Sequence, residues 1–139
     1  MSEIDKYKAH FGLEPHSNFS FEVIEHERWE HTRLNNSLFN GAVFIECIFD
    51  EITFNNSDLE GTRFSGCSFR NCSFSGADIH SIWVANCQFA GVSFDETILT
   101  DCTFYQCNFE DCSFNGTSQM ECVFDSCVLD PFAPKGSSI

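Results

Sequence analysis

The sequence predicts a four-sided solenoid of about five coils, and three observations carry that expectation. The first is a period of five. Every fifth residue from Leu34 reads Leu34, Phe39, Phe44, Phe49, Phe54, Leu59, Phe64, Phe69, Phe74, Ile79, Val84, Phe89, Phe94, Leu99, Phe104, Phe109, Phe114, Gln119, Phe124, Leu129; nineteen of the twenty are apolar and thirteen are Phe. The second is a companion series two residues earlier, from Thr32 and Ser37 to Cys122 and Cys127, in which all nine cysteines fall. The third is a longer repeat inside both series. Every fourth member of the companion series gives Cys47, Cys67, Cys87, Cys107, Cys127, whereas Ser37, Ser57, Ala77, Thr97, Thr117 holds no cysteine. The main series sorts likewise, with Phe49, Phe69, Phe89, Phe109 aromatic until Leu129 and most non-Phe members in the column of Phe39, Leu59, Ile79, Leu99, Gln119. Four sides of five residues therefore make one coil of twenty.

A five-residue period suits neither an α-helix, which repeats every 3.6 residues, nor a flat strand, which repeats every two. It suits a solenoid, in which each turn buries its apolar face only by stacking on its neighbours. Coils stacked about 4.8 Å apart place successive Phe rings in offset stacks, which adds to the gain from their burial.

Segments such as Ser57-Asp58-Leu59-Glu60-Gly61, Cys72-Ser73-Phe74-Ser75-Gly76 and Ala77-Asp78-Ile79-His80-Ser81 pair a small residue with a large apolar one two places on, then a polar residue and often Gly. This resembles the pentapeptide-repeat family, over roughly 100 of the 139 residues. The resemblance implies an all-β, right-handed, four-sided β-helix with both the small and the large residue of each motif pointing inward.

Three segments follow from this reading. Residues 1–31 are expected as a lead-in and cap, 32–130 as the β-helix, and 131–139 as a tail or lid. In the lead-in, Ser2 is placed to cap a short helix through about Phe11, with Ile4, Tyr7, Lys8 and Phe11 spaced at three or four and Pro15 ending it. Phe19, Ile24 and Trp29 keep the five-residue phase, but Glu22 and Glu27 take inward places where an unpaired carboxylate is expensive. Residues 17–31 are accordingly expected to cover the first coil and protect its open β-edge. After the last coil come Pro131 and Pro134, which forbid a useful helix, and Phe132, placed to fold over the end.

No run of eighteen apolar residues exists, so no transmembrane helix is expected. No basic segment followed by an apolar one opens the chain, so no signal peptide is expected and the protein is placed in the cytoplasm. The thiols then fit a reducing compartment. Stacked every twenty residues, their parallel Cβ vectors do not converge as a disulfide requires. Metal binding would need several sulfurs converging on one point, whereas a ladder spreads them along a line. Cysteine serves here as a small apolar filler, and a buried thiol without a neighbouring cation stays inert.

His10, His16, His26 and His31 lie in the lead-in without the spacing of a metal site, and they and His80 read as surface histidines. No phosphate-binding Gly loop or nucleophile elbow is present. The glycines, such as Gly61 and Gly76, close the five-residue motif where a corner turns. No enzyme, cofactor or metal is expected. Ile52 and Ile82 are large for the small inward place, Trp83 and Val84 interrupt the aromatic columns, and Gln119 with Met120 breaks the pattern near the end. Each is expected to produce a local swelling or bulge, and a bulge would present Trp83 or Met120 to a partner.

The chain carries 21 acids against 7 Lys and Arg, a formal charge of −14. Between residues 71 and 130 lie nine acids and no Lys or Arg. Spread over three coils of about 4.8 Å, that is about one charge per 1.6 Å, close to the ~1.7 Å of duplex DNA. Direct nucleic-acid binding is disfavoured, because like charge repels phosphates. Two readings remain. One is a rigid protein-binding module or scaffold whose acidic C-terminal half (Asp95, Glu96, Asp101, Glu110, Asp111, Glu121 and Asp125) meets a basic protein partner. The other comes from the family resemblance: some acidic pentapeptide-repeat proteins mimic DNA and occupy the DNA-binding saddle of DNA gyrase, a type II topoisomerase, inhibiting it or protecting it from quinolones. Those relatives look like dimers joined by a C-terminal helical module; for this chain a monomer or an end-to-end dimer is expected.

Overall fold

Backbone pairing in the computed structural model, which describes residues 14–129, joins each residue to the one twenty positions on. All ladders are parallel: Ile24 with Phe44, Phe49 with Phe69, Leu99 with Gln119 and Phe104 with Phe124. The register of twenty never slips, so the chain winds as a four-sided β-solenoid. No helix occurs among the described residues. The expected N-terminal helix and the Phe132 lid lie outside them.

The four sides are unequal. On the first, inward residues Phe19, Phe39, Leu59, Ile79, Leu99 and Gln119 are held by bridges from Asn18 through Leu38 and Asp58 to Asp78, and by strands Asp78–His80, Ile98–Thr100 and Ser118–Met120. The second is a six-stranded sheet from Val23–Glu25 to Val123–Asp125. The third is five-stranded, from Arg28–Arg33 to Asn108–Glu110. The fourth is held by bridges from Thr53 through Ser73 and Ser93 to Ser113.

Every corner is made the same way. Each fifth residue from His16 to Ser126 has φ between 50° and 70°, and six of these are glycines. Left-handed backbone costs an L-residue roughly 1–2 kcal/mol, so Asn, Asp and His recur there while glycine is not obligatory. Gly76 has a second reason. A Cβ at this position would come within 2.4 Å of Asn56 Oδ1 one coil below.

Phe packing fills the interior. On the third side Phe49, Phe69, Phe89 and Phe109 stack at 4.8 Å between successive rings, and rings of adjacent sides meet edge to face, as Phe44 meets Phe49 at 5.4 Å. Where Ile79, Ile82 and Val84 replace aromatic or small residues, a void of about 10 Å³ remains. Ile52, Ile82 and Val84 are all buried in register. The expected bulge is therefore absent. Trp83 pairs with Arg63 and Thr103 at an ordinary outward position, and the void absorbs the mismatch in size.

Residues 17–31, expected as a lead-in, are themselves a coil. Val23–Glu25 and Arg28–Arg33 pair with the next coil, and Phe19, Ile24 and Trp29 are buried in the common core. Glu27 is buried at the head of the cysteine column and Glu22 is half-buried. Apolar burial by Phe19, Ile24 and Trp29 outweighs the cost of these two inward carboxylates.

Candidate protein-binding surface

Outward positions flank each inward residue, and a corner residue follows. Sorting the acids by side decides which of them share a surface. On the first side Asp58 and Asp78 are bridge partners, and the Glu60 N–H donates to Asp58 Oδ1 at 3.1 Å. The corner that opens this side carries Glu96, and the corner that closes it carries Asp101 and Glu121. Asp58 is half-buried. Six carboxylates thus follow one side from the third coil to the last, over roughly 14 Å at the usual strand spacing. Among the described residues, Arg28 and Arg70 are on the third side, Arg33 begins the fourth and Arg63 is on the second; the first has no Lys or Arg.

The seven acids expected from sequence are not one patch. Glu96, Asp101 and Glu121 border the first side. Asp95 belongs to a polar ladder on the fourth, where its Oδ1 accepts from Ser113 Oγ at 2.5 Å and from Asn115 N–H at 2.8 Å. Glu110 and Asp111 close the third side, and Asp125 ends the second. Sequence reading missed Asp58, Glu60 and Asp78. The signal was present: 58 and 78 differ by twenty, as do 101 and 121.

Like charges stacked at coil spacing perturb one another. A hydrogen bond shared with Asp101, and then the Asp101 charge, hold Glu121 above its ordinary range. In the first two coils imidazole and guanidinium groups face the acids instead. His26 Nδ1 lies 3.3 Å from Glu46, His31 Nδ1 lies 2.8 Å from Glu51, and Arg28 bonds Glu30 and approaches Asp50 at 3.8 Å. These histidines are corner residues, and surface pairs of this kind contribute ~1 kcal/mol or less.

The nine thiols are free, and all but the half-buried Cys127 are buried. Each has a donor role: Cys47, Cys67, Cys87, Cys107 and Cys127 donate to the carbonyls of Ile24, Phe44, Phe64, Val84 and Phe104 at 3.3–3.6 Å. Ser57 and Thr97 donate to Leu34 and Phe74 in the same way. Burial pushes the Cys72 thiol up to about 11. No three His, Cys, Asp or Glu side chains among the described residues converge on a metal position.

The model for pentapeptide repeats, with 8 copies, matches residues 30–61, 47–81 and 85–118. The chain belongs to the pentapeptide-repeat family. No curated protein matches this pentapeptide-repeat chain. Among solved structures it is similar to full-length QnrB1, a plasmid-mediated fluoroquinolone resistance protein, with TM-score 0.63 at 16% identity over 76% of this chain and 59% of that one. A trypsin-treated point variant of QnrB1 gives TM-score 0.60 at 15% identity over 81% and 62%. The chain therefore spans about three fifths of QnrB1. Rfr23, a pentapeptide-repeat protein from the cyanobacterium Cyanothece 51142, gives 0.52 at 12% identity over 90% of this chain and 97% of that one. At these identities the likeness is one of fold.

Proposed function

We propose that this pentapeptide-repeat protein is a non-enzymatic protein-binding module whose first side docks a basic surface of a partner. The observation that carries this is the row Asp58, Glu60, Asp78, Glu96, Asp101 and Glu121 on a side without Lys or Arg among the described residues. A stack of hydrogen-bonded coils holds these carboxylates at fixed spacing, so binding orders little backbone. Electrostatic complementarity then sets on-rate and selectivity, and affinity falls steeply as salt rises.

The test is capture of partners from a cytosolic extract by the protein and by a variant carrying D58N, D78N, D101N and E121Q. A partner held by the unmodified protein, released by salt and lost with the variant supports the reading. Capture indifferent to both would overturn it.

A second reading is DNA mimicry toward a type II topoisomerase. It is favoured by the axial row of like charges, in which Asp58 and Asp78, and Asp101 and Glu121, stand one coil apart, and the fluoroquinolone-resistance role of QnrB1 makes gyrase the enzyme to try. The protein is titrated into a DNA gyrase supercoiling assay with and without a quinolone. Inhibition or drug protection at micromolar protein or below, lost in the same variant, selects this reading. No effect leaves the general docking module.

A further inference from the structure

We propose that the corner between the first and second sides is the contact surface of a two-fold homodimer, in which Phe21 of each copy fills a hollow at Gly61 of the other. The inference is separate from the docking role above and rests on apolar groups that role does not employ.

Phe21 is the exception among the corner residues. The other non-glycine corners of the described chain are His, Asn, Glu, Asp, Gln or Ser, whereas Phe21 holds a bulky aromatic side chain at φ 63°. It is 80% exposed, and the core does not need it, because Phe19 fills the inward place of that side. A bulky residue in left-handed backbone is an outlier, and strain of this kind persists where it serves a site.

A hollow lies on the same corner. Phe21, Asn40, Gly41, Glu60 and Gly61 line an open depression of about 360 Å³. A Cβ at Gly41 would come within 2.7 Å of the Phe21 ring, so the ring lies back over that glycine. At Gly61 a Cβ would meet only the Gly41 backbone, at 3.7 Å or more. Elsewhere a corner glycine meets a polar side chain from one coil below, as Gly76 meets Asn56 and Gly91 meets Asn71. Gly41 and Gly61 are the one stacked pair of corner glycines among the described residues, and the space outside Gly61 stays open.

Knob and hollow stand two coils apart, about 10 Å at the usual strand spacing. That offset suits a two-fold axis, because in an isologous contact residue i meets j and j meets i. An axis along the strands of the second coil sets each Phe21 against Gly61 of the other copy. The second side agrees in the same register. Half-buried Val43 and Ile45 meet their own counterparts, and exposed Val23 meets the stem of Arg63. The Arg63 guanidinium then falls beside the partner's Glu25, which matches the one Arg of this side to an acid.

Charge favours the same half of the molecule. All four Arg lie between residues 28 and 70, and no Lys or Arg lies between 71 and 130. Two copies of charge −14 therefore repel least through the first three coils. The axis also sends the acidic C-terminal coils of the two copies in opposite directions, which leaves Asp101 and Glu121 open. Three coils of one side measure about 14 by 16 Å, short of the ~800 Å² per partner of a stable interface. The dimer is accordingly weak and forms at micromolar concentration or above.

The test is sedimentation equilibrium of the full-length reduced protein from low micromolar to millimolar concentration, which should fit a monomer–dimer equilibrium. Phe21→Asn and Gly61→Asn should each weaken the dimer about tenfold or more. Asn suits both corners, as Asn36, Asn56 and Asn71 show, so F21N should melt no lower than the unmodified protein. G61N keeps the Phe21 ring and fills the hollow, so it tests the contact even if F21N folds poorly. Arg63→Glu and Glu25→Arg should each weaken association, and the double exchange should restore it. Met120→Ser, which removes an exposed apolar residue from the last coil, should change nothing. A monomer throughout, a dimer indifferent to F21N and G61N, equal weakening by M120S, or a charge exchange without recovery would each overturn the proposal.

Discussion

Cys67 Sγ donates to the Phe44 carbonyl at 3.4 Å, across a separation of 23 residues. The same offset recurs from Cys47 to Ile24, from Thr62 to Phe39 and from Thr117 to Phe94. The small inward residue is thus a filler and also a donor that ties its coil to the carbonyl of a large inward residue on the preceding side of the coil below. Cys67→Ala should cost ~1 kcal/mol or somewhat more, from the lost hydrogen bond and the small void. Cys67→Ser should cost less, because its hydroxyl replaces the donor as Ser57 does. Urea unfolding monitored by circular dichroism ranks the two; equal losses would show that the donor role contributes nothing.

Phe89 stacks at 4.8 Å on both Phe69 and Phe109, each within 3° of parallel. Removing this ring breaks two stacks and opens a cavity between coils that are themselves rigidly paired. Phe89→Ala should cost ~3–5 kcal/mol, and Phe89→Leu much less, since Leu59 and Leu99 already sit at inward places. A loss under about 1 kcal/mol in the same urea experiment for F89A would mean that the column relaxes to fill the gap.

Most of this fold is legible because its period is written in single residues. Phe69, Phe89 and Phe109 announce one side, and Cys67, Cys87 and Cys107 confirm that the side returns after twenty. Phe19, Ile24 and Trp29 carry the same phase, yet Glu22 and Glu27 obscure it, because an inward carboxylate is costly by itself and only the apolar burial beside it outweighs that cost. The surface was harder to read. A count of acids along the chain favours the C-terminal half, while a shared surface depends on position within the coil, which joins Asp58 and Asp78 to Asp101 and Glu121 and sets Asp95 apart. The missing bulge at Trp83 has a packing reason: a void beside Val84 is cheaper than a break in every ladder that crosses the coil.

Burial that holds Cys72 at about 11, against an ordinary 9.0, makes stability depend on pH. Between those values the unfolded chain has lost the proton and the folded chain keeps it, so the unfolded state is favoured as pH rises. The contribution is whole below about pH 9 and is lost progressively up to about pH 11, at ~1.4 kcal/mol per unit. Cys72→Val should flatten part of that decline in melting temperature between about pH 8.5 and 10.5. An unchanged slope would show that Cys72 ionises in the folded state.

Asp101 and Glu121 stack on one corner column, and the shared hydrogen bond and charge hold Glu121 above its ordinary range. A carboxyl raised in the folded state contributes stability that is present at low pH and lost as pH rises through its folded value. Asp101→Asn removes the neighbouring charge, so the Glu121 titration followed by carbon NMR should move down toward the ordinary value of 4.5. Because like-charge repulsion is then relieved at neutral pH, the variant should melt no lower than the unmodified protein at low salt. Partner binding should fall in the same variant, and the difference should shrink as salt screens the surface. Stability and binding would then move in opposite directions from one substitution, as the proposed docking role of this row requires. A Glu121 titration unmoved by D101N would show that the two side chains do not share that corner in solution.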